Sequence, residues 1–488
     1  LIFNSYIFIL AFLPVTLLLY QFAGRFGDHR TRCSVLSSAS LFYYAWWNIN
    51  YVPIMLGSIV INFLIGKKVQ PKQGKMWMLM GIVLNLALLG YFKYVGFFLE
   101  NVAFVFGKSF SMENILLPLG ISFFTFQQIS YLIDRYSGMS RDDGLLVYTT
   151  FVLFFPQLIA GPIVRYWDMA PQLLKVGELG LRFVNLNRGF YLFAIGLFKK
   201  VWVADSIAPY VDTGYLAIES GHIPTFFESW FVALAYPLQI YFDFSGYSDM
   251  AFALALMFGL TIPVNFLSPY KATNMSDFWQ RWHISLTQCF QRYLFNPIAM
   301  SLRHYKSVWV KIYLPYLLTM SLIGLWHGAG WNFVIWGALH GLFLAIAYHW
   351  KTKRWQGLPK PLAWVWNCFL LMFVFVFFRA VDLESATELI KGMFAMNGVV
   401  LPKVLEGLVD MPLFSYSYYL MPCFYEYRTY EPILPCVLAG LLALLAPNSQ
   451  ELLKRYQSSC GNLCVSSGLI LMSLFAINEV TTFLYYQF

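Results

Sequence analysis

The chain has 488 residues, of which 59% are hydrophobic, 19% aromatic and only 12% charged, and its mean hydropathy is +0.60. Soluble domains carry about a quarter charged residues, so this chain lacks the polar surface that a water-soluble fold of its length requires. The net charge of +9 sits in short loops between apolar runs, which is a positive-inside bias and not a nucleic-acid surface, so no nucleic-acid partner is expected.

The chain reads as an all-α polytopic membrane protein whose partner is lipid. A helix crossing ~30 Å of hydrocarbon needs about 20 mostly apolar residues. In chain order such segments fall at 2–22, 33–47, 51–66, 76–98, 115–133 and 189–204, then at 228–262, 312–326, 331–349, 362–380, 433–447 and 464–485. Segment 228–262 is one crossing, or three if broken, and the total is roughly 11–12 spans. Residues 1–22 have no basic n-region and no small-residue cleavage site, so a retained first span is expected. Pro156, Gly161 and Pro162 interrupt 151–164. That stretch is expected to be re-entrant, which is tolerated only where it packs inside protein or lines a wet cavity. No internal repeat is visible, which counts against transporter folds built from two related halves.

Loop charges assign the sides. Arg25, Arg30 and Arg32 share a side with Lys67, Lys68, Lys72 and Lys75, then with Arg165, Lys175, Arg182, Arg188, Arg303, Lys306, Lys351 and Arg455. Asp205, Asp212 and Glu219 fall opposite, followed by the acidic segment 381–430 with Asp382, Glu384, Glu388, Glu406 and Asp410. The basic side is expected to be cytoplasmic, which puts both termini outside.

The missing motifs narrow the chemistry. There is no phosphate loop, no His-Glu-x-x-His, no Asp-x-Asp, and no histidine followed five residues later by aspartate. The seven cysteines are irregularly spaced and read as small buried hydrophobes. No metal site is expected.

Ionisable groups inside apolar segments are expensive and point to function. The clusters are Tyr241–Asp249 with Asp243 and Asp249, Asp277–Ser285 with Arg281 and His283, Leu325–Asn332 with His327, and Trp336–Gly341 with His340. Gly324, Gly328 and Gly330 flank His327, so the backbone there is expected to leave the helix and approach a ligand. Trp326 and Trp331 are expected to wall it from water. A neutral imidazole in such a place suits a general base, while the alternative is a structural histidine bonding a neighbouring helix. His283 lies in an amphipathic stretch, 277–293, that fits either an interfacial helix or the wall of a wet funnel. Asn332 and His340 line a cavity or bond between helices. His29, His222, His304 and His349 sit in or beside loops and read as solvated.

Arg281-Trp-His283-Ile-Ser, followed by Trp326-His327-Gly328-Ala, resembles the membrane-bound O-acyltransferases. Phe42-Tyr-Tyr-Ala-Trp-Trp47, Leu117-Pro-Leu-Gly120-Ile-Ser, Pro156-Gln-Leu-Ile-Ala-Gly-Pro162, Tyr241-Phe-Asp-Phe-Ser-Gly-Tyr-Ser-Asp249 and Phe483-Leu-Tyr-Tyr-Gln-Phe488 are similar to the bacterial alginate O-acetyltransferase branch. Gln280 and Thr287 depart from it, standing where relatives often have arginine and serine.

The resemblance implies a single domain over 1–488, a ring of helices enclosing two funnels, with 381–430 as an extracytoplasmic insertion. It assigns the catalytic histidine to His327 and the second family histidine to His283. Trp326, Asp243, Asp249, Arg281 and Asn332 form the expected substrate-binding surround. The implied reaction takes an acyl group, acetyl by expectation, from acetyl-CoA or an acylated carrier protein, with no bound cofactor. The acceptor is an extracytoplasmic polysaccharide, alginate-like or cellulose-like, reached through extracytoplasmic acetyltransferase partner proteins from the bacterial inner membrane. The rival readings are a transporter of polysaccharide or lipid-linked sugar and a non-catalytic secretion scaffold.

Overall fold

The computed structural model describes the chain except residues 27, 108–115, 180–182, 407–413, 418–420, 425–429, 478–483 and 485–488. Arg182, Asp410, the ends of the expected 115–133 and 464–485 spans, and all of the terminal motif but Leu484 therefore lie outside the described residues.

The described chain is helical apart from one short sheet. Local chemistry sets the helix ends. Asp28 caps His29–Trp47 by accepting from the Arg30 amide at 3.0 Å, and Ser459 caps Cys460–Ala476 through the Asn462 amide. Helix Val52–Lys68 has a proline in its first turn and Lys67 and Lys68 in its last, where cations complement the helix dipole.

Among the described residues, five helices are long and apolar enough to cross a membrane: Ile49–Lys68, Lys75–Phe106, Trp309–His327, Trp331–Thr352 and Lys360–Arg379. A sixth, Glu431–Leu445 with Ser449–Arg455, is broken between its halves, and Phe8–Ala23 and Cys460–Ala476 are apolar but shorter. Several of the other expected crossings fall on helices with buried polar side chains, such as Ile121–Tyr136 with Gln127, Gln128 and Asp134. A helix enclosed by protein need not be apolar all round, so hydropathy alone under-reads it.

Segment 228–262 resolves as one continuous helix, Phe226–Met257, followed by irregular chain. The 151–164 stretch is broken at Phe154 between helices Leu145–Leu153 and Phe155–Leu158, and all of it is buried, as a re-entrant segment requires. Gly120 sits beside it at φ +70°, where a Cβ would lie 2.7 Å from the Leu158 carbonyl oxygen. The described cysteines are free thiols. Cys33 and Cys289 are buried, but Cys460 and Cys464 are exposed on their helix, against the expectation of buried hydrophobes.

The chain divides into two compact units. The first comprises Leu1–Phe198, Gly246–Asn265 and Ser449–Gln487. Within it, Asn62 and Asn85 exchange side-chain hydrogen bonds at 2.6 and 3.3 Å between neighbouring helices, the polar glue that replaces the hydrophobic effect in lipid. Arg32 donates to the Val176 carbonyl, and Tyr20 to that of Phe258 at 2.8 Å.

The second unit, Lys199–Ser245 and Phe266–Asn448, holds both family histidines. Its core is aromatic: Trp282 stacks on Phe278 at 5.4 Å and meets Phe266 and Phe375 at 5.1 and 5.6 Å. Segment 381–430 contributes helix Leu383–Met393 and two strands, Val399–Pro402 and Phe414–Ser417, paired in parallel with Val399 opposite Phe414.

Candidate active site

Helix Leu314–His327 ends on its histidine and helix Trp331–Thr352 begins four residues later. The expected break is there, but its physical reason differs. Gly328 and Gly330 are extended, at φ −151° and −164°, a conformation open to any residue. What the glycines supply is space: a Cβ on Gly328 would enter the Phe333 ring, and one on Gly324 the Phe333 carbonyl. Gly337 and Gly341, a Gly-x-x-x-Gly pair, likewise face the Met320 and Tyr316 carbonyls, a Cβ at Gly341 falling 2.7 Å from the latter. The two helices therefore touch backbone to backbone, as small residues permit in membranes.

This seam fixes His327, which is only 6% exposed. Its ring meets Trp326 at 4.9 Å, Phe378 at 5.2 Å and Trp336 at 5.3 Å, the last nearly perpendicular. Trp326 is buried as expected and packs on Phe290 at 6.0 Å. Trp331, expected to wall it too, is 53% exposed. Trp336 and Phe378 meet the His327 ring directly.

His283 interrupts the expected 277–293 helix. It stands between helices Met275–Trp279 and Ile284–Phe290 in the left-handed region, φ 42°, ψ 53°, which only a few non-glycine residues adopt at modest cost. It is 1% exposed and meets the Phe244 ring edge-on at 4.7 Å. Burial pushes its imidazole down to about 3, so it is neutral near pH 7 and offers one donor and one acceptor.

The remaining expected residues have identified partners. Asn332 is buried and donates to the Ala380 carbonyl at 2.7 Å, tying two helices. Arg281 pairs with Asp277 at 2.7 Å in a half-exposed i,i+4 arrangement. Asp249 accepts from the Ser449 hydroxyl. His340, 0% exposed, accepts at Nδ1 from the Trp279 indole at 3.2 Å and meets Trp336 at 4.7 Å. Of its two open readings, the inter-helix bond is the one observed.

Asp243 pairs with Lys200 at 2.6 Å, and Lys200 also reaches Asp205 at 2.8 Å. Sequence reasoning missed Lys200, although a lysine at the end of the apolar 189–204 run was a sufficient signal. It lies in a π-helical turn, Lys199–Ala204, a local widening that recurs at functional sites.

Residues 140–387 match the model of the membrane-bound O-acyltransferase family. The chain is 36% identical to the peptidoglycan O-acetyltransferase of Helicobacter pylori, over 100% of this chain and 98% of that protein. It is 39% identical to the probable alginate O-acetylase AlgI of Azotobacter vinelandii, over 81% of this chain and 78% of that one. Similarity extends to the teichoic acid D-alanyltransferase of Bacillus subtilis, 28% identical over 51% of this chain and 64% of that protein.

Proposed function

The chain belongs to the membrane-bound O-acyltransferase family and is an acyltransferase of the membrane, and from that premise we propose that it moves an acetyl group from a cytoplasmic thioester across the bilayer for O-acetylation of an extracytoplasmic glycan. The names of its relatives support acetyl as the group and a glycan of the alginate or peptidoglycan kind as the final acceptor. The inner membrane of a bacterium is the proposed location, with the basic loops on the side where thioesters are made.

The observation that carries the reading is His327 itself: an imidazole at a helix end, held by a glycine seam and enclosed by Trp326, Trp336 and Phe378. In the proposed reaction His327 takes the proton of an attacking hydroxyl as the C–O bond and the tetrahedral oxyanion form; collapse breaks the C–S bond, and the thiolate leaves as the thiol with that proton. His283, neutral and fixed by its backbone, donates a hydrogen bond to the thioester oxygen or orients the donor. Arg281 stands beside it and is proposed to meet the donor's anionic part, exchanging its Asp277 contact for it. Extracytoplasmic acetyltransferase proteins receive the acetyl group, docking on the acidic 381–430 segment.

The test is label transfer by the purified chain in detergent. With radiolabelled acetyl-CoA, and in parallel an acetylated carrier protein, the wild type releases label and His327→Ala, equally folded by size exclusion, does not. Equal turnover by the two overturns the role of His327. No turnover from either donor, with the partner present, overturns acetyl transfer.

A further inference from the structure

Within the second unit, three side chains of metal-ligating type converge. The Nε2 of His222, a carboxylate oxygen of Glu228 and the Sγ of Cys423 lie within 4.8 Å of one another. Glu228 is 0% exposed. Its Oε2 accepts from the Thr225 amide at 2.8 Å and the Thr225 hydroxyl at 2.9 Å, the reciprocal contact of a capping box at the start of helix Phe226–Met257. His222 Nε2 stands 3.2 Å from the same oxygen, and the Cys423 amide donates to Oε1 at 2.6 Å.

A capping box accounts for Glu228 and Thr225, but not for an imidazole and a thiol brought to the same carboxylate from a loop and from a turn 195 residues on. We propose that His222, Glu228 and Cys423 form a zinc-class metal site. One imidazole nitrogen, one thiolate and one carboxylate oxygen is a borderline-soft donor set that suits Zn²⁺ and is wrong for Mg²⁺ or Ca²⁺. Bonds of about 2.0 Å to nitrogen and oxygen and 2.3 Å to sulfur separate tetrahedral ligands by about 3.3–3.7 Å; the 3.2 Å His222–Glu228 hydrogen bond is close to that spacing, and the thiol, within 4.8 Å of both, closes on them when the ion binds. The Thr225 and Cys423 amides then act as the outer donors that orient a ligating carboxylate. On binding, the S–H bond of Cys423 breaks, a zinc–sulfur bond forms and the proton leaves to water.

Such an ion pins the Met421–Phe424 turn to the loop before Phe226, beside Asn397, which donates to the Pro224 carbonyl at 3.1 Å. Three protein ligands leave a fourth position for water or for a donor from another chain. The site departs from the sequence expectation of no metal, because its members are distant in sequence and His222 read as a solvated loop residue. It does not depend on the acyl-transfer reading.

The test uses the full chain in detergent, stripped with chelator and dialysed against Zn²⁺ or Co²⁺. One Zn²⁺ per chain is expected, and Co²⁺ should give a near-ultraviolet thiolate charge-transfer band that disappears in Cys423→Ser and weakens in His222→Ala. Should these variants fold poorly, the wild type still decides: Zn²⁺ must slow maleimide labelling of Cys423, read by peptide mass spectrometry, while leaving exposed Cys460 and Cys464 unaffected. No bound zinc, or equal labelling of Cys423 with and without it, overturns the site.

Discussion

Lys200 and Asp243 meet at 2.6 Å with side chains that are each 2% exposed. Lys200 holds Asp205 as well, at 2.8 Å, so one cation serves two carboxylates. With all three ionised the group sums to −1, and the two aspartates repel each other except through the lysine between them. The arrangement makes Lys200 the member whose loss is least tolerable.

Lys200→Met should therefore lower stability more than Asp243→Asn. Removing the lysine takes the shared cation from a buried Asp243 and a part-buried Asp205, a loss of about 3–5 kcal/mol by analogy with broken buried pairs. Removing Asp243 leaves a neutral Lys200–Asp205 pair. Melting curves of both variants in detergent check the order, and an equal or reversed order would refute the shared-cation account.

Gly337→Ala should pry the His327 helix from its neighbour, because the new Cβ meets the Met320 carbonyl. Overpacking of this kind costs about 1–3 kcal/mol, and a catalytic group displaced by about 1 Å loses on the order of 100-fold in rate. Turnover should fall much further than thermal stability. A fall in stability alone would separate the seam from the chemistry.

Asn332→Ala leaves the Ala380 carbonyl without its 2.7 Å donor. A buried acceptor left unsatisfied costs about 1–3 kcal/mol, so the melting temperature should drop while KM for the donor changes little. A large rise in KM at unchanged stability would instead make Asn332 a substrate contact.

The neutral His283 makes stability acid-sensitive. Its imidazole is held down to about 3 by burial, against an ordinary 6.5. Between those values the unfolded chain binds a proton that the folded chain refuses, so stability falls as pH drops below 6.5. The loss reaches about 2 kcal/mol by pH 5. His283→Asn, which tolerates the left-handed backbone, should flatten the difference in melting temperature between pH 7 and pH 5. An unchanged difference would assign the acid sensitivity to another group.

Helices, the broken 151–164 stretch and both family histidines were legible because their signals are local: an apolar run, a proline, a histidine set among tryptophans and glycines. Partnerships were not. Asp249 finds Ser449 across 200 residues, and Asp243 finds Lys200; neither spacing leaves a periodic trace. Trp331, expected to exclude water beside His327, is 53% exposed, because sequence adjacency to a buried residue does not fix a neighbour's burial. Phe378, which does contact His327, comes from a helix that reads as uniformly apolar.

The Trp279–His340 hydrogen bond also gives the molecule an internal reporter. An indole N–H can only donate, so His340 must accept at Nδ1 and keep its proton on Nε2. Nitrogen resonances separate that tautomer from its alternative, and with seven histidines in the chain a ¹⁵N-histidine spectrum is sparse enough to assign by single substitutions. Trp336 touches the rings of both His340 and His327. Any donor or acceptor that settles beside His327 and tilts Trp336 will therefore register at His340, a nucleus outside the reaction, before turnover begins.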